Sequence, residues 1–231
     1  MTSGFDYTQF QISLTRLIDE DYRNFAVKGI ITDYPFLGVR TPHLRDLAGK
    51  ITRQGFAKGF IKRMPQSYEE ATIMGFVIAA MPYEEMKQHL ATYLPKIDNW
   101  ATCDTFVSAL KSVKKHRQDF LDSVVDPALQ SPREFTVRFA LVVLKSYYVT
   151  PDYLPVIFDR IVAIRERDEY YIRMGAAWLL AECFTKYPNE TFPILAAKKL
   201  PKQIQNRAIS KIHDSLRVPD EVKAALGDYR I

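Results

Sequence analysis

Apolar positions along the chain recur with helical spacing. Phe10, Leu14, Leu17 and Ile18 make one stripe and Leu90, Tyr93, Leu94 and Ile97 another, the i, i+3, i+4 pattern of helices with one buried face. No run alternates with period two in the manner of a half-buried strand. Five stretches repeat a longer pattern: Glu70-Ala-Thr-Ile-Met, Asp104-Thr-Phe-Val-Ser-Ala-Leu, Arg138-Phe-Ala-Leu-Val-Val-Leu, Arg173-Met-Gly-Ala-Ala-Trp and Arg207-Ala-Ile-Ser-Lys-Ile. Their leading charges lie 34, 34, 35 and 34 positions apart, the period of stacked helix pairs. The predicted fold is all-α, a curved superhelical solenoid of antiparallel helix pairs, with residues 1–231 as a single domain. Equivalent helices of such an array lie side by side, so the five leading charges are expected to form a row.

Turn signals separate the helices at Asp33-Tyr-Pro35, Met64-Pro-Gln-Ser67, Met81-Pro82, Ser131-Pro132, Thr150-Pro-Asp152, Tyr187-Pro-Asn189, Leu200-Pro201 and Val218-Pro219. They imply roughly eleven or twelve helices in five or six pairs, with short connections. Thr41-Pro42 reads as an N-cap followed by proline at the first helical position, and Ser67 with Glu70 as a capping box.

Composition is that of an ordinary globular chain, with 47% hydrophobic and 26% charged residues. The most apolar run, Met74 to Met81, is about half of what a bilayer span needs, and the amino terminus lacks a basic-then-apolar export signal. A cytoplasmic protein without membrane attachment is expected. Cys103 and Cys183 sit in apolar helical patterns and read as buried free thiols. The four histidines show no ligand spacing, no phosphate loop or nucleophile elbow occurs, and neither cofactor nor metal is expected.

Net charge is +5, which suits a polyanionic partner. Basic residues gather near repeat ends, for example Lys198, Lys199 and Lys202, or Arg207 and Lys211. One reading is solvated helix ends whose cations offset the dipole. Arg173 and Arg207 could instead form an internal ladder between repeats or contact a ligand, and either role needs an anionic partner. Trp100 and Asp104 are an i,i+4 pair, so they point the same way from a helix. Trp178, the second of only two tryptophans, also lies on a leading-charge helix. A core role for either Trp is the plainer alternative.

The order Phe36-Leu-Gly-Val-Arg-Thr-Pro42, Asp98-Asn-Trp-Ala-Thr-Cys-Asp104, Phe135-Thr-Val-Arg138 and Tyr171-Ile-Arg-Met-Gly-Ala-Ala-Trp178 resembles the AlkD-type DNA alkylation-repair glycosylases, which are built of HEAT-like repeats. The resemblance implies a catalytic carboxylate at Asp104, tryptophans at 100 and 178 flanking the lesion's sugar-phosphate, phosphate binding by Arg138, and a DNA-contacting position at Arg40. It implies hydrolysis of the N-glycosidic bond of cationic N3- or N7-alkyl purines in double-stranded DNA, as a step of base-excision repair. Such a base leaves without protonation, and a fixed carboxylate stabilises the sugar cation that forms. No Lys or amino-terminal nucleophile is placed beside Asp104, so a monofunctional enzyme is expected, and because action on one lesion needs no second subunit, a monomer. The alternatives are a non-catalytic helical-repeat protein that binds damaged or branched DNA and, less in keeping with the basic excess, a protein-binding scaffold.

Overall fold

The computed structural model describes residues 5–231. Residues 1–4, part of the stretch read above for an export signal, lie outside it. The described residues are helical throughout: α1 Tyr7–Thr15, α2 Glu20–Ala26, α3 Thr41–Arg53, α4 Ala57–Ile61, α5 Tyr68–Ala79, α6 Tyr83–Tyr93, α7 Trp100–Ala109, α8 Arg117–Phe120, α9 Asp126–Leu129, α10 Glu134–Tyr147, α11 Leu154–Ala163, α12 Tyr170–Lys186, α13 Pro188–Ala196, α14 Lys202–His213 and α15 Asp220–Leu226. Among them no strand forms, and the one β-type pairing is an isolated antiparallel bridge between Ile18 and Val39. None of these helices is long and apolar enough to cross a membrane. Short segments raise the number of helices above the expected eleven or twelve. In particular, α8 and α9 are the ends of one irregular helix whose middle, Leu121–Val125, widens into a π-helical turn.

Backbone contacts divide the chain into two compact units, Met1–Ser112 and Val113–Ile231. In the first, α3, α5 and α7 pack in succession, with α5 between the other two. Every residue of α5 from Tyr68 to Ile78 is buried, which explains why its sequence has no polar stripe. Full burial of each large aliphatic side chain, such as Ile73 or Val77, contributes about 1.5–3 kcal/mol. Gly75 lets α6 approach: the buried Tyr93 hydroxyl donates to the Ala71 carbonyl at 2.9 Å, and a Cβ on Gly75 would lie 2.3 Å from it.

In the second unit α10, α12 and α14 pack in succession around α12. All five repeat-leading charges thus fall on helices, the arrangement expected of an all-α helical-repeat fold. The period also reappears as contacts. Arg160 binds Asp126 through both Nε and Nη2 at 2.9 and 2.7 Å, 34 positions apart, and Arg217 binds Glu182 at 2.7 Å, 35 apart. Arg167 donates to the Ser131 carbonyl at 2.8 Å, and the Glu134 carboxylate accepts the Tyr171 N–H at 2.6 Å, capping the exposed amides at the start of α12. A ladder between repeats therefore exists, and of the leading charges Arg138 joins it through the Tyr171 carbonyl at 3.3 Å, while Arg173 pairs with Asp168 close by in the chain.

Three local expectations change. Arg40, not Thr41, is the N-cap of α3; it makes no side-chain cap bond, and Thr41 is already helical. Ser67 caps α5 by accepting the Glu70 N–H at 3.2 Å, yet Glu70 returns its carboxylate to the Gln66 N–H, one residue before the usual partner. The cause is that Glu70 also accepts from Tyr7 and Gln11 of α1. Finally, α1 stops at Thr15, because Ile18 leaves the helical stripe to pair with Val39.

Candidate functional site

In the first unit, α7 starts at Asn99, whose side chain accepts the Thr102 N–H at 2.8 Å. The neighbouring Asp98 carboxylate gathers the Thr32 hydroxyl, the Asp33 N–H at 2.7 Å and the Asn99 amide. Trp100 donates its indole N–H to the Gly29 carbonyl at 2.8 Å. Segment 29–33 is thereby tied to the start of α7. The indole nitrogen is satisfied while the Trp100 residue stays 36% exposed, so this ring is not a core ring. Asp104 follows one turn later, half-buried. Another turn on, Ser108 accepts from Arg45 Nη2 at 3.2 Å, and that guanidinium lies 4.3 Å from the Phe76 ring centroid. One face of α7 therefore presents an aromatic ring, a carboxylate and an arginine-held hydroxyl in order.

The segment that leads into α3 is held by a residue that sequence reasoning passed over. Glu69 is fully buried, and its carboxylate accepts the N–H groups of Leu37 at 3.1 Å, Gly38 at 2.7 Å and Val39 at 3.2 Å. Gly38 has φ of 95°, and a Cβ there would lie 2.5 Å from Arg23 Cβ, so glycine is required. The chain then enters Arg40, whose Nε donates to Asp19 at 2.8 Å and whose guanidinium lies 4.9 Å from the Tyr22 ring centroid. The Tyr22 N–H and, after it, Arg40 hold the Asp19 carboxyl below its ordinary value.

In the second unit the expected residues divide among three surroundings. Arg138 is only 6% exposed; its Nη1 donates to the Tyr171 carbonyl at 3.3 Å, linking α10 to the start of α12. Trp178 lines a small cavity of about 260 Å³ with Lys211, Glu182 and Arg217, and the Lys145 ammonium lies 3.4 Å from its ring centroid. That distance marks a close cation–π contact. Arg173 and Arg207 come together in a larger cavity of about 490 Å³, where Lys202 and Arg230 join them. Arg173 is paired with Asp168 on the surface. Among the described residues the side chains of Lys202 and Arg207 have no partner. The Lys211 ammonium is pushed down by burial and then by the charges of Arg207 and Arg138, with Asp214 acting the other way.

Both cysteines are free and buried, and burial pushes the Cys183 thiol up to about 12. Among the described residues no group of His, Cys, Asp and Glu is arranged to hold a metal ion. The chemistry offered is therefore a carboxylate beside a partly exposed aromatic ring in one unit, and a set of cations able to bind phosphate in the other. Glu69, Arg45, Tyr170 and Arg230 were not read from the sequence, and Lys202 was read only as one of a basic group near a repeat end. The only available signal was for Glu69, a second acid inside an otherwise apolar helix.

No curated protein sequence matches the chain at a significant level. The sequence profile described as DNA alkylation repair enzyme matches residues 11–212, a span that takes in Arg40, Trp100, Asp104, Arg138, Arg173, Trp178 and Arg207. Repair of alkylated DNA implies DNA as the substrate, and by that match the chain belongs to the DNA alkylation repair enzyme family.

Proposed function

We propose that the protein is a monofunctional DNA glycosylase that hydrolyses the N-glycosidic bond of cationic N3- or N7-alkyl purines in duplex DNA. The observation that carries this reading is the pairing on α7 of a partly exposed Trp100, fixed through its indole N–H, with Asp104 one turn further on. In the proposed reaction the C1′–N bond breaks and its electron pair leaves with the purine, cancelling the purine's charge. Positive charge then appears on the deoxyribose. The Asp104 carboxylate stabilises it electrostatically, and the Trp100 ring face, with its negative potential, favours the same cation. Water forms the new C1′–O bond and gives up a proton to Asp104, leaving an abasic site. No general acid is required, because the leaving base is neutral once the bond has broken.

The second unit supplies backbone binding in this reading. Arg207 and Arg173 contact phosphates. Arg138, mostly covered and bonded to the Tyr171 carbonyl, positions the start of α12. Trp178 acts through the Lys145 ammonium that lies against its ring. Arg40 reaches DNA only by exchanging its Asp19 partner for a phosphate.

The test is Asp104→Asn, which keeps volume and removes charge. Single-turnover excision of 7-methylguanine from a duplex is expected to slow by about 10²- to 10³-fold, while duplex affinity and the thermal melt stay close to wild type. A folded Asn variant with wild-type excision would eliminate Asp104 as the catalytic group. Wild-type protein that binds the duplex and excises nothing would leave the non-catalytic binder as the function.

A further inference from the structure

The cavity between α12 and α14 is larger than phosphate contacts alone require. Its volume of about 490 Å³ falls among those of small-ligand sites, roughly 300–1,000 Å³. Four cations line it, Arg173, Lys202, Arg207 and Arg230. The carboxylate paired with any of them is Asp168, which is largely exposed and bonded to Arg173. Arg230 is held in place by the Asn206 carbonyl and the Ser210 hydroxyl, both at 3.3 Å. The Asn206 side chain in turn fixes the Ile231 backbone through bonds of 2.8 and 3.0 Å. Further along α14, burial and then the charge of Arg207 lower the affinity of Lys211 for its proton.

An aromatic ring completes the lining. Tyr170, the first residue of α12, is 56% exposed although it belongs to the same cavity. It meets Tyr171 edge to face at 5.0 Å. A planar guanidinium pair with a nearby ammonium matches the oxygens of a phosphodiester, and an exposed tyrosine offers a surface on which any base can stack.

We infer that this cavity takes one nucleotide of a DNA strand, with its phosphate against Arg207, Lys202 and Arg230 and its base on Tyr170. The inference rests on the DNA reading above, but it concerns side chains other than Asp104 and Trp100. A nucleotide held here is bound without regard to sequence, because the phosphate carries no base information and stacking is tolerant of base identity. The space beyond a single phosphate group is then filled by sugar and base.

Calorimetric titration of the full chain with the dinucleotide pTpT, and separately with inorganic phosphate, tests this assignment. The dinucleotide should bind at least about fivefold more tightly than phosphate if stacking contributes at the low end of its usual range. Tyr170→Ala should weaken pTpT binding by roughly 5- to 100-fold and leave phosphate binding unchanged. Arg207→Ala should weaken both ligands. Thermal melts alongside establish that each variant is folded; Tyr170 and Arg207 are exposed, and neither is a core residue. Absence of pTpT binding, or equal binding of the two ligands without an effect of Tyr170→Ala, overturns the inference. Because pTpT contains no alkylated purine, its titration stays interpretable even if excision fails, and the Asp104→Asn variant should bind it like wild type.

Discussion

Replacing Glu69 by Gln tests whether a buried carboxylate positions the segment ahead of α3. In the structure one carboxylate oxygen accepts from Leu37, Gly38 and Val39, and the second accepts from Leu37 as well at 3.1 Å. Glutamine can keep the shared acceptor, but its NH₂ group then faces the Leu37 N–H, donor against donor, and the remaining bonds lose their charge assistance. Hydrogen bonds to charged groups contribute about 1.5–3 kcal/mol each and neutral ones about 1. Halving two bonds and losing part of a third therefore gives about 2–4 kcal/mol. If the loss is local, amide exchange at Leu37, Gly38 and Val39 should accelerate by roughly 30- to 900-fold, at 1.36 kcal/mol per factor of ten. Hydrogen exchange read residue by residue by NMR measures this directly. Exchange at the three amides indistinguishable from wild type, in a folded variant, would refute the claim that Glu69 holds them.

Two further outcomes follow from contacts described above. Gly75→Ala should destabilise the protein by about 1–3 kcal/mol in a denaturant melt, because the new methyl overlaps the buried Tyr93 hydroxyl; a gain of about 1 kcal/mol, which an unobstructed helical glycine would give, would contradict the packing. Asp19→Asn keeps the cap on Tyr22 but loses the Arg40 pair. Since the Asp19 carboxyl is held below its ordinary value by the Tyr22 N–H and by Arg40, its contribution is complete above the unfolded-state value and lost as pH falls through the folded-state value. The stability gap between wild type and variant should therefore be constant near neutrality and close in acid, and a gap that persists in acid would show that the pair does not carry it.

The helices and their period were legible because many of the turns between them carry a proline, serine or asparagine, and because each repeat opens its buried run with a charge. Trp100 and Asp104 were legible as a pair by their spacing, but not the exposure of Trp100, which depends on the Gly29 carbonyl 71 positions earlier. Arg138 and Arg207 hold equivalent places in the repeat, yet one is covered and the other exposed. The period fixes where a residue lies along a helix, whereas its burial depends on what the next helix presents. Glu69 was hidden for the same reason: at the start of a helix an acid normally answers the dipole, and only the folded chain shows three amides from a distant segment converging on it. The irregular turn at Leu121–Val125 has no counterpart in the apolar pattern, which continues through it.

The rungs of the second unit, Asp126 with Arg160, Ser131 with Arg167, Glu134 with Tyr171 and Glu182 with Arg217, each reach only 34 to 37 positions along the chain. Contacts of such limited sequence separation favour rapid folding, since short loops are closed at small entropic cost. During synthesis at about 5–20 residues per second, the partner of each rung emerges roughly 2 to 7 s after the first member. This unit can therefore consolidate from its amino-terminal side while its last helices are still being made, each new helix finding the docking acceptor, a carboxylate or the Ser131 carbonyl, already in place.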